Sequence, residues 1–323
     1  MKIVLPAFLF QPVLDEIRQD SAGEGVLAQC EFIPVDSQGR ILGDPTGAEV
    51  VVLPWGLPSE TVAALLDLPT LRWIHSVSAG VDHALRVVPD ACQAVITNAA
   101  GLFDGPIAEM VMAYILAIAK RIPLFLQQQQ RHQWHLLRLR EVAGCTVGII
   151  GLGRIGTEVA RRCQGMGLRV IATRRHPDRG GDFADLVVGP DRLSEILSGA
   201  DFVVITAPLT PETRGLLDRD ALRQMRPDAW LINVARGAIL DQEALIQALQ
   251  EGWIGGAALD VFEEEPLPPD SPLWDLPNVI ITPHNSWSTP HLKQREARLF
   301  VENLRRYLSG QPLLNVVDRS RGY

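Results

Sequence analysis

Short runs of β-branched and apolar residues alternate along this chain with longer stretches whose apolar positions recur at helical spacing. KIVLP, EVVVLP, LRWIHS and AVITN read as four strands of a first unit, with Pro and Gly clustered between them. A second series starts at CTVGII (145–150) and continues with LRVIAT, DFVVIT, AWLINV, GGAALDV and NVIITP. Strands alternating with helical patterns favour a parallel sheet covered by helices, and six strands are enough for a full dinucleotide-binding sheet. A long apolar helix follows Gly105-Pro106, with Pro near its start as expected. The last segment, TPHLKQREARLFVENLRRYLSG, is helical, with Leu292, Leu299, Val301, Leu304 and Leu308 among its apolar positions and Gly310 and Pro312 as its stop. It lies beyond the sixth strand, so it is expected to return to the first unit and make that unit discontinuous. QQQQ (127–130) fits an exposed helix face, and no internal repeat is present.

Composition narrows the function classes. The 323 residues give room for two domains, and 47% apolar with 21% charged residues is ordinary for a folded, soluble protein. A formal net charge of −8 argues against a general nucleic-acid or anionic-membrane binder, because a phosphate backbone rewards a basic surface. IAEMVMAYILAIAK (107–120) contains Glu109 and is too short to span a bilayer, so it reads as a buried helix. The N-terminus has an apolar run broken by Pro6 and Pro12 and lacks a convincing signal-peptide cleavage region. Cys30, Cys92, Cys145 and Cys163 show neither metal-like spacing nor CxxC, which suits reduced structural thiols in a cytoplasmic protein with no metal site.

VGIIGLGRIGTEVA (147–160) reads as strand, tight turn and helix, with Gly151, Gly153 and Gly156 forming GxGxxG. The first Gly permits the turn, the second lets the backbone approach a pyrophosphate, and the third lets helix and strand pack closely. The helix N-terminus adds free N–H groups and a partial positive charge. At the end of the next strand, where an acid ordinarily holds both ribose hydroxyls of NAD, VIATRR places Arg174 and Arg175. A carboxylate there would repel a 2′-phosphate, whereas an arginine holds it through a bidentate, charge-assisted contact. NADP(H) is therefore the expected cofactor, with NAD(H) as the alternative if both arginines are only solvated surface charges.

Three further strand ends carry polar groups: NVARG (233–237), LDVFEEEP (259–266) and ITPHNSWST (281–289). Ligands of such sheets bind outside the carboxyl ends of the strands, so these groups are expected to converge. Together with SAGVDH (78–83), TAPLTPETRGLL (206–217), NVARGAILDQEAL (233–245), GGAALDVFEEEPLP (255–268) and TPH (282–284), they make the chain resemble the D-2-hydroxyacid dehydrogenases, in order and over most of its length.

That resemblance implies an α/β fold of two domains, a Rossmann dinucleotide-binding domain (101–287) inserted into a flavodoxin-like substrate domain (1–100 and 288–323). It also implies a catalytic trio of Arg236, Glu265 and His284. The chemistry is coherent: His284 supplies the carbonyl's proton, Glu265 orients it and favours its charged form, and Arg236 binds the substrate carboxylate and polarises the carbonyl. SVSAGVDH resembles the family's carboxylate-binding loop, in which N–H groups around Ser78, Ala79 and Gly80 form an anion nest. The resemblance places Arg154 and Ile155 on the pyrophosphate, Ala207 and Pro208 on the adenine side, Val234, Ala235 and Arg236 beside the nicotinamide, and Asp260 at its carboxamide. Asp260 equally suits a turn or helix cap. Trp55 and Trp287 are candidates for the substrate's side-chain pocket, and equally for packing.

Departures narrow the substrate. Formate dehydrogenases of this superfamily have Gln where this chain has Glu265. Many phosphoglycerate dehydrogenases carry an extra C-terminal regulatory domain, whereas this chain stops at Tyr323. VVDRSRGY, DSPLWDLP and Arg174 look most like the bacterial glyoxylate/hydroxypyruvate reductases, which implies NADPH-preferring reduction of a small 2-keto acid by a homodimer. The alternatives are an NAD-dependent dehydrogenase of a bulkier or phosphorylated substrate, and a non-catalytic NAD(P)-sensing protein-binding module.

Overall fold

A computed structural model describes residues 1–19, 23–89 and 91–322; Tyr323, in the tail motif above, lies outside them. The chain divides into two units, Met1–Leu102 with Thr289–Tyr323, and Phe103–Ser288.

The first unit holds five parallel strands: β1 (Lys2–Pro6), β2 (Glu31–Val35), β3 (Ala48–Leu53), β4 (Trp73–Ser76) and β5 (Val95–Thr97), in the order β2-β1-β3-β4-β5. This is the flavodoxin-like arrangement. Strand alternation explains why β1 and β3 are apolar throughout. Ile3, Leu5, Val50 and Val52 face one core, while Val4, Val51 and Leu53 face the other. Helices cover both faces, so neither set meets water. The helix Leu292–Leu308 belongs to this unit, where Trp73 stacks on Phe300 and Tyr307 at centroid distances of 5.3 and 5.6 Å. β2 is an edge strand that the sequence pattern missed; Pro34 lacks an N–H and masks it, yet an edge tolerates it.

Glu296, on that same helix, is buried and its Oε2 has no hydrogen-bond partner. Burial pushes its pKa up to about 8. The folded state therefore holds a proton that the unfolded chain releases above its ordinary value near 4.5. Stability falls between those two pH values, by roughly 1.4 kcal/mol per pH unit. Glu296→Gln is expected to remove this loss, raising Tm at pH 8.5 but not at pH 4.5 in calorimetric scans; an equal shift at both would contradict it.

The second unit is a seven-stranded parallel sheet: β6 (Thr146–Ile150), β7 (Arg169–Thr173), β8 (Leu186–Val188), β9 (Phe202–Ile205), β10 (Trp230–Asn233), β11 (Gly256–Leu259) and β12 (Val279–Ile281). Their order, β12-β11-β10-β9-β6-β7-β8, is the Rossmann order with one strand added at an edge. The sequence pattern finds six of the seven. β8 has only three residues and no alternation to detect. The apolar helix is Asp104–Ala119, and among the described residues no helix is long and apolar enough to cross a membrane.

Candidate active site

Every strand of the second sheet runs the same way, so all its carboxyl ends share one edge. Across that edge the order is His284 after β12, Asp260 after β11, Arg236 after β10, Ala207 after β9, Gly151 after β6 and Arg174 after β7. Three strand spacings separate β10 from β7, about 14 Å at roughly 4.8 Å each.

Two of the three motif glycines sit where only glycine fits. Gly151 has φ +98°, and a Cβ there would lie 2.6 Å from the Ala207 Cα. At Gly156 a Cβ would meet the Gly151 carbonyl oxygen at 2.6 Å, so the helix Arg154–Gly165 can sit close on the sheet. At Gly153 nothing lies within 4 Å. That open approach to a helix N-terminus suits a pyrophosphate, with exposed Arg154 and half-buried Ile155 opening the helix. Thr173 Oγ1 accepts from the Gly151 N–H at 3.2 Å and steadies the turn.

Arg174 is half-buried, and its guanidinium donates to the Gly180 carbonyl at 2.9 Å. Arg175 is exposed and pairs with Glu212 at 3.6 Å. Ala207 and Val234 are buried, whereas Pro208 is exposed.

At the other end of the edge, Arg236, Glu265 and His284 come together. Gly237 is the reason: a Cβ there would sit 1.9 Å from the Phe262 carbonyl carbon, so the Arg236 loop lies flush against the loop bearing Glu265. Buried Asn233 fixes the first loop, donating to the Arg236 carbonyl at 3.0 Å and accepting from the Ala235 N–H at 3.1 Å. Arg236 is half-buried and donates to the Ala235 carbonyl at 2.7 Å. Glu265 Oε1 accepts from the Phe262 N–H at 2.9 Å, and Oε2 lies 2.6 Å from His284 Nδ1. Burial works against ionisation of Glu265. The His284 and Phe262 hydrogen bonds and the charges of His284 and Arg236 outweigh it and hold its carboxyl below the usual value. An ionised carboxylate only accepts, so Nδ1 carries the shared proton.

His284 sits at φ +51°, in the left-handed region, which costs about 1–2 kcal/mol for an L-residue. Asp260 holds it there. This wholly buried residue accepts from the N–H groups of Asn285 and Ser286 at 2.9 and 3.0 Å and from the Thr282 hydroxyl, and its carbonyl accepts from the His284 N–H at 2.8 Å. In the structure Asp260 is thus the anchor of the His284 loop. Trp287 is on the same loop, and its indole N–H donates to the His284 carbonyl at 2.6 Å.

In the first unit, Ser78, Ala79 and Gly80 follow β4 and are half-buried. Asn98 Nδ2 donates to the Ala79 carbonyl at 2.9 Å and fixes the loop. Trp55 is half exposed, and its ring lies 4.3 Å from that of His83, a partner the motif reading passed over.

An acid–base pair beside a guanidinium, on an edge that also carries a glycine turn opening a helix N-terminus, suits hydride transfer at a carbinol or carbonyl carbon. The class is a dinucleotide-dependent oxidoreductase. Residues 112–286 match the family described as D-isomer specific 2-hydroxyacid dehydrogenase, NAD binding domain. A glyoxylate reductase of Thermofilum pendens is 37% identical over 253 residues, covering 75% of this chain and 74% of that protein. The D-isomer specific 2-hydroxyacid dehydrogenase of Xanthobacter autotrophicus, solved with NADPH and MES, superposes with a TM-score of 0.85 at 32% identity, covering 100% of this chain and 99% of that one. An NADPH-dependent glyoxylate/hydroxypyruvate reductase of Sinorhizobium meliloti, solved with NADP and sulfate, gives 0.82 at 28% identity, with the same coverage. The chain belongs to the D-isomer specific 2-hydroxyacid dehydrogenase family.

Proposed function

We propose that this protein is an NADPH-preferring reductase of small 2-keto acids, of the glyoxylate and hydroxypyruvate type, yielding D-2-hydroxy acids. The observation that carries this reading is the 2.6 Å His284–Glu265 pair beside Arg236, on the same sheet edge as Arg174. The unit Met1–Leu102 with Thr289–Tyr323 serves as the substrate domain, and Phe103–Ser288 binds the dinucleotide.

Gly151, Gly153, Arg154, Ile155 and Gly156 hold the pyrophosphate, Arg174 and Arg175 the 2′-phosphate, and Ala207 and Pro208 the adenine side. Val234, Ala235 and Asp260 belong to the nicotinamide end, Asp260 at the carboxamide and through the loop it anchors. When bound, NADPH supplies the hydride for the substrate's carbonyl carbon. Arg236 takes the substrate carboxylate in a bidentate contact and draws electron density toward the carbonyl oxygen. His284 delivers the proton from Nε2, and Glu265 stabilises the charge it carries beforehand. In the first unit, Ser78, Ala79 and Gly80 offer backbone N–H donors of the kind that hold a carboxylate, and Trp55 there and Trp287 in the second unit are each assigned to contact with the substrate's side chain.

Arg174 gives the cofactor preference its test. Arg174→Asp is expected to lower kcat/KM for NADPH by about 10²-fold and to leave NADH use within a fewfold, as two charge-assisted bonds are exchanged for repulsion. Initial rates with both cofactors and a panel of glyoxylate, hydroxypyruvate and phenylpyruvate check this. Equal loss with NADPH and NADH would sink it.

The working form is a homodimer built on the second unit. Residues 132–140 form neither helix nor strand, and Trp134 and Leu136 are 93% and 94% exposed. Side chains of that size are left in water at a large apolar cost unless a partner covers them. A cavity of about 670 Å³ in the same unit, lined by Ile118, Leu124, Leu139, Phe202, Trp230 and Ile280 among others, offers a receiving surface. Light scattering on a sizing column should give twice the chain mass, and Trp134→Glu with Leu136→Glu should give the monomer. A monomeric wild type across the concentration range would refute the dimer.

A further inference from the structure

We propose that Tyr114 is a positioning residue for the proton donor, acting through Thr282 and Asp260; this rests on the reading that His284 supplies the proton. Tyr114 lies in the helix Asp104–Ala119, among the buried apolar residues Val111, Met112 and Ile115. Packing alone would be satisfied by Phe at this place, and a buried hydroxyl is unfavourable unless it is bonded. Its oxygen lies 2.5 Å from Thr282 Oγ1. Thr282 in turn donates its single proton to Asp260 Oδ1. A carboxylate only accepts, so the direction of the series is settled: the Tyr114 hydroxyl donates to Thr282, and Thr282 donates to Asp260. Burial, helped by the nearby Asp260 charge and opposed by the Thr282 bond, pushes Tyr114 up to about 12, so it remains a donor over any ordinary assay range.

The series ends on the backbone that shapes the donor. Asp260 accepts from the N–H groups of Asn285 and Ser286 at 2.9 and 3.0 Å, the two residues that follow His284. His284 and Thr282 are linked as well, the His284 N–H approaching the Thr282 carbonyl at 3.1 Å. His284 keeps its left-handed backbone only while these bonds hold, and that backbone sets the ring against Glu265. Hydrogen bonds in series within a low-dielectric interior strengthen one another, so loss of the first weakens the last. Tyr114 thus connects the long helix of the second unit to the aim of the imidazole.

Tyr114→Phe, Thr282→Val, Thr282→Ser and the Tyr114→Phe/Thr282→Val pair test this, with NADPH and hydroxypyruvate as the probes. Tyr114→Phe is expected to lower kcat about tenfold, as small misplacements of a reacting group do, with KM for the keto acid and Kd for NADPH within twofold. Thr282→Val falls at least as far. Thr282→Ser, which keeps the hydroxyl, recovers most of that loss. The double variant is no slower than Thr282→Val alone, because the two residues act in series. The inference is overturned if Tyr114→Phe keeps wild-type kcat, if Thr282→Ser loses as much as Thr282→Val, or if the two single losses multiply. Should Tyr114→Phe fail to fold, the Thr282 pair decides. His284→Asn separates the two levels: if it is inactive while Tyr114→Phe and Thr282→Val are unaffected, only the positioning role falls. If His284→Asn turns over normally, the reading of His284 as donor falls with it.

Discussion

His284→Asn is expected to lower kcat for 2-keto acid reduction by about 10²–10⁴-fold, the range for loss of a positioned general acid. Asn has similar bulk and can still meet Glu265, so the loop that Asp260 anchors should keep its shape. It has no group that carries a proton near neutral pH. NADPH binding, read by its fluorescence, should change no more than twofold. The effect therefore falls on turnover, and KM for the keto acid moves little. Retention of kcat within threefold of wild type would remove His284 from the mechanism.

The second large effect is expected at Arg236. Arg236→Gln removes the fork that binds the carboxylate and the charge that polarises the carbonyl, and kcat/KM should fall by about 10²–10³-fold. Here the loss divides: KM for the keto acid rises and kcat falls as well, unlike the pattern at His284. Arg236→Lys should recover only a part, since a point charge does not reproduce a planar, bidentate contact. The Arg236 charge is also one of the groups that hold the Glu265 carboxyl down, so its removal should raise the Glu265 pKa. The ionised pair would then be lost at a higher pH as the medium is acidified, a shift visible in the pH dependence of residual activity. Steady-state kinetics of both variants over a pH series check the two statements together; an unchanged keto acid KM in Arg236→Gln would contradict the carboxylate role.

Much of this was legible in the chain because parallel sheets announce themselves through short apolar runs, and because their carboxyl ends are where the motifs fall. The strand Thr146–Ile150 before Gly151 and the helix Arg154–Gly165 that contains Gly156 are the elements expected on either side of the GxGxxG turn. NVARG, EEEP and TPH were found as separate stretches, and it is parallel β10, β11 and β12 that bring their ends to one edge. What escaped has physical reasons. β2 carries Pro34 and β8 has three residues, so neither gives a periodic signal. Gly237 looks like part of a motif, yet its task is to let two backbones touch, which depends on a residue 25 positions away in the chain. Asp260 suits either a carboxamide contact or a turn in the sequence alone, because its bonds to the loop of His284 join residues 25 and 26 positions apart, and Tyr114 is indistinguishable in sequence from another core aromatic. Burial of Glu296 follows from its place on the inner face of the last helix, where a carboxyl is the last residue type that pattern would predict.

The most direct test of the whole account is to incubate the wild-type protein with NADPH and hydroxypyruvate, follow cofactor consumption, and determine the configuration of the product by chiral chromatography. The account predicts one D-glycerate formed for each NADPH consumed. NADPH that binds but is not consumed with hydroxypyruvate or glyoxylate, or a product of the L configuration, would contradict it.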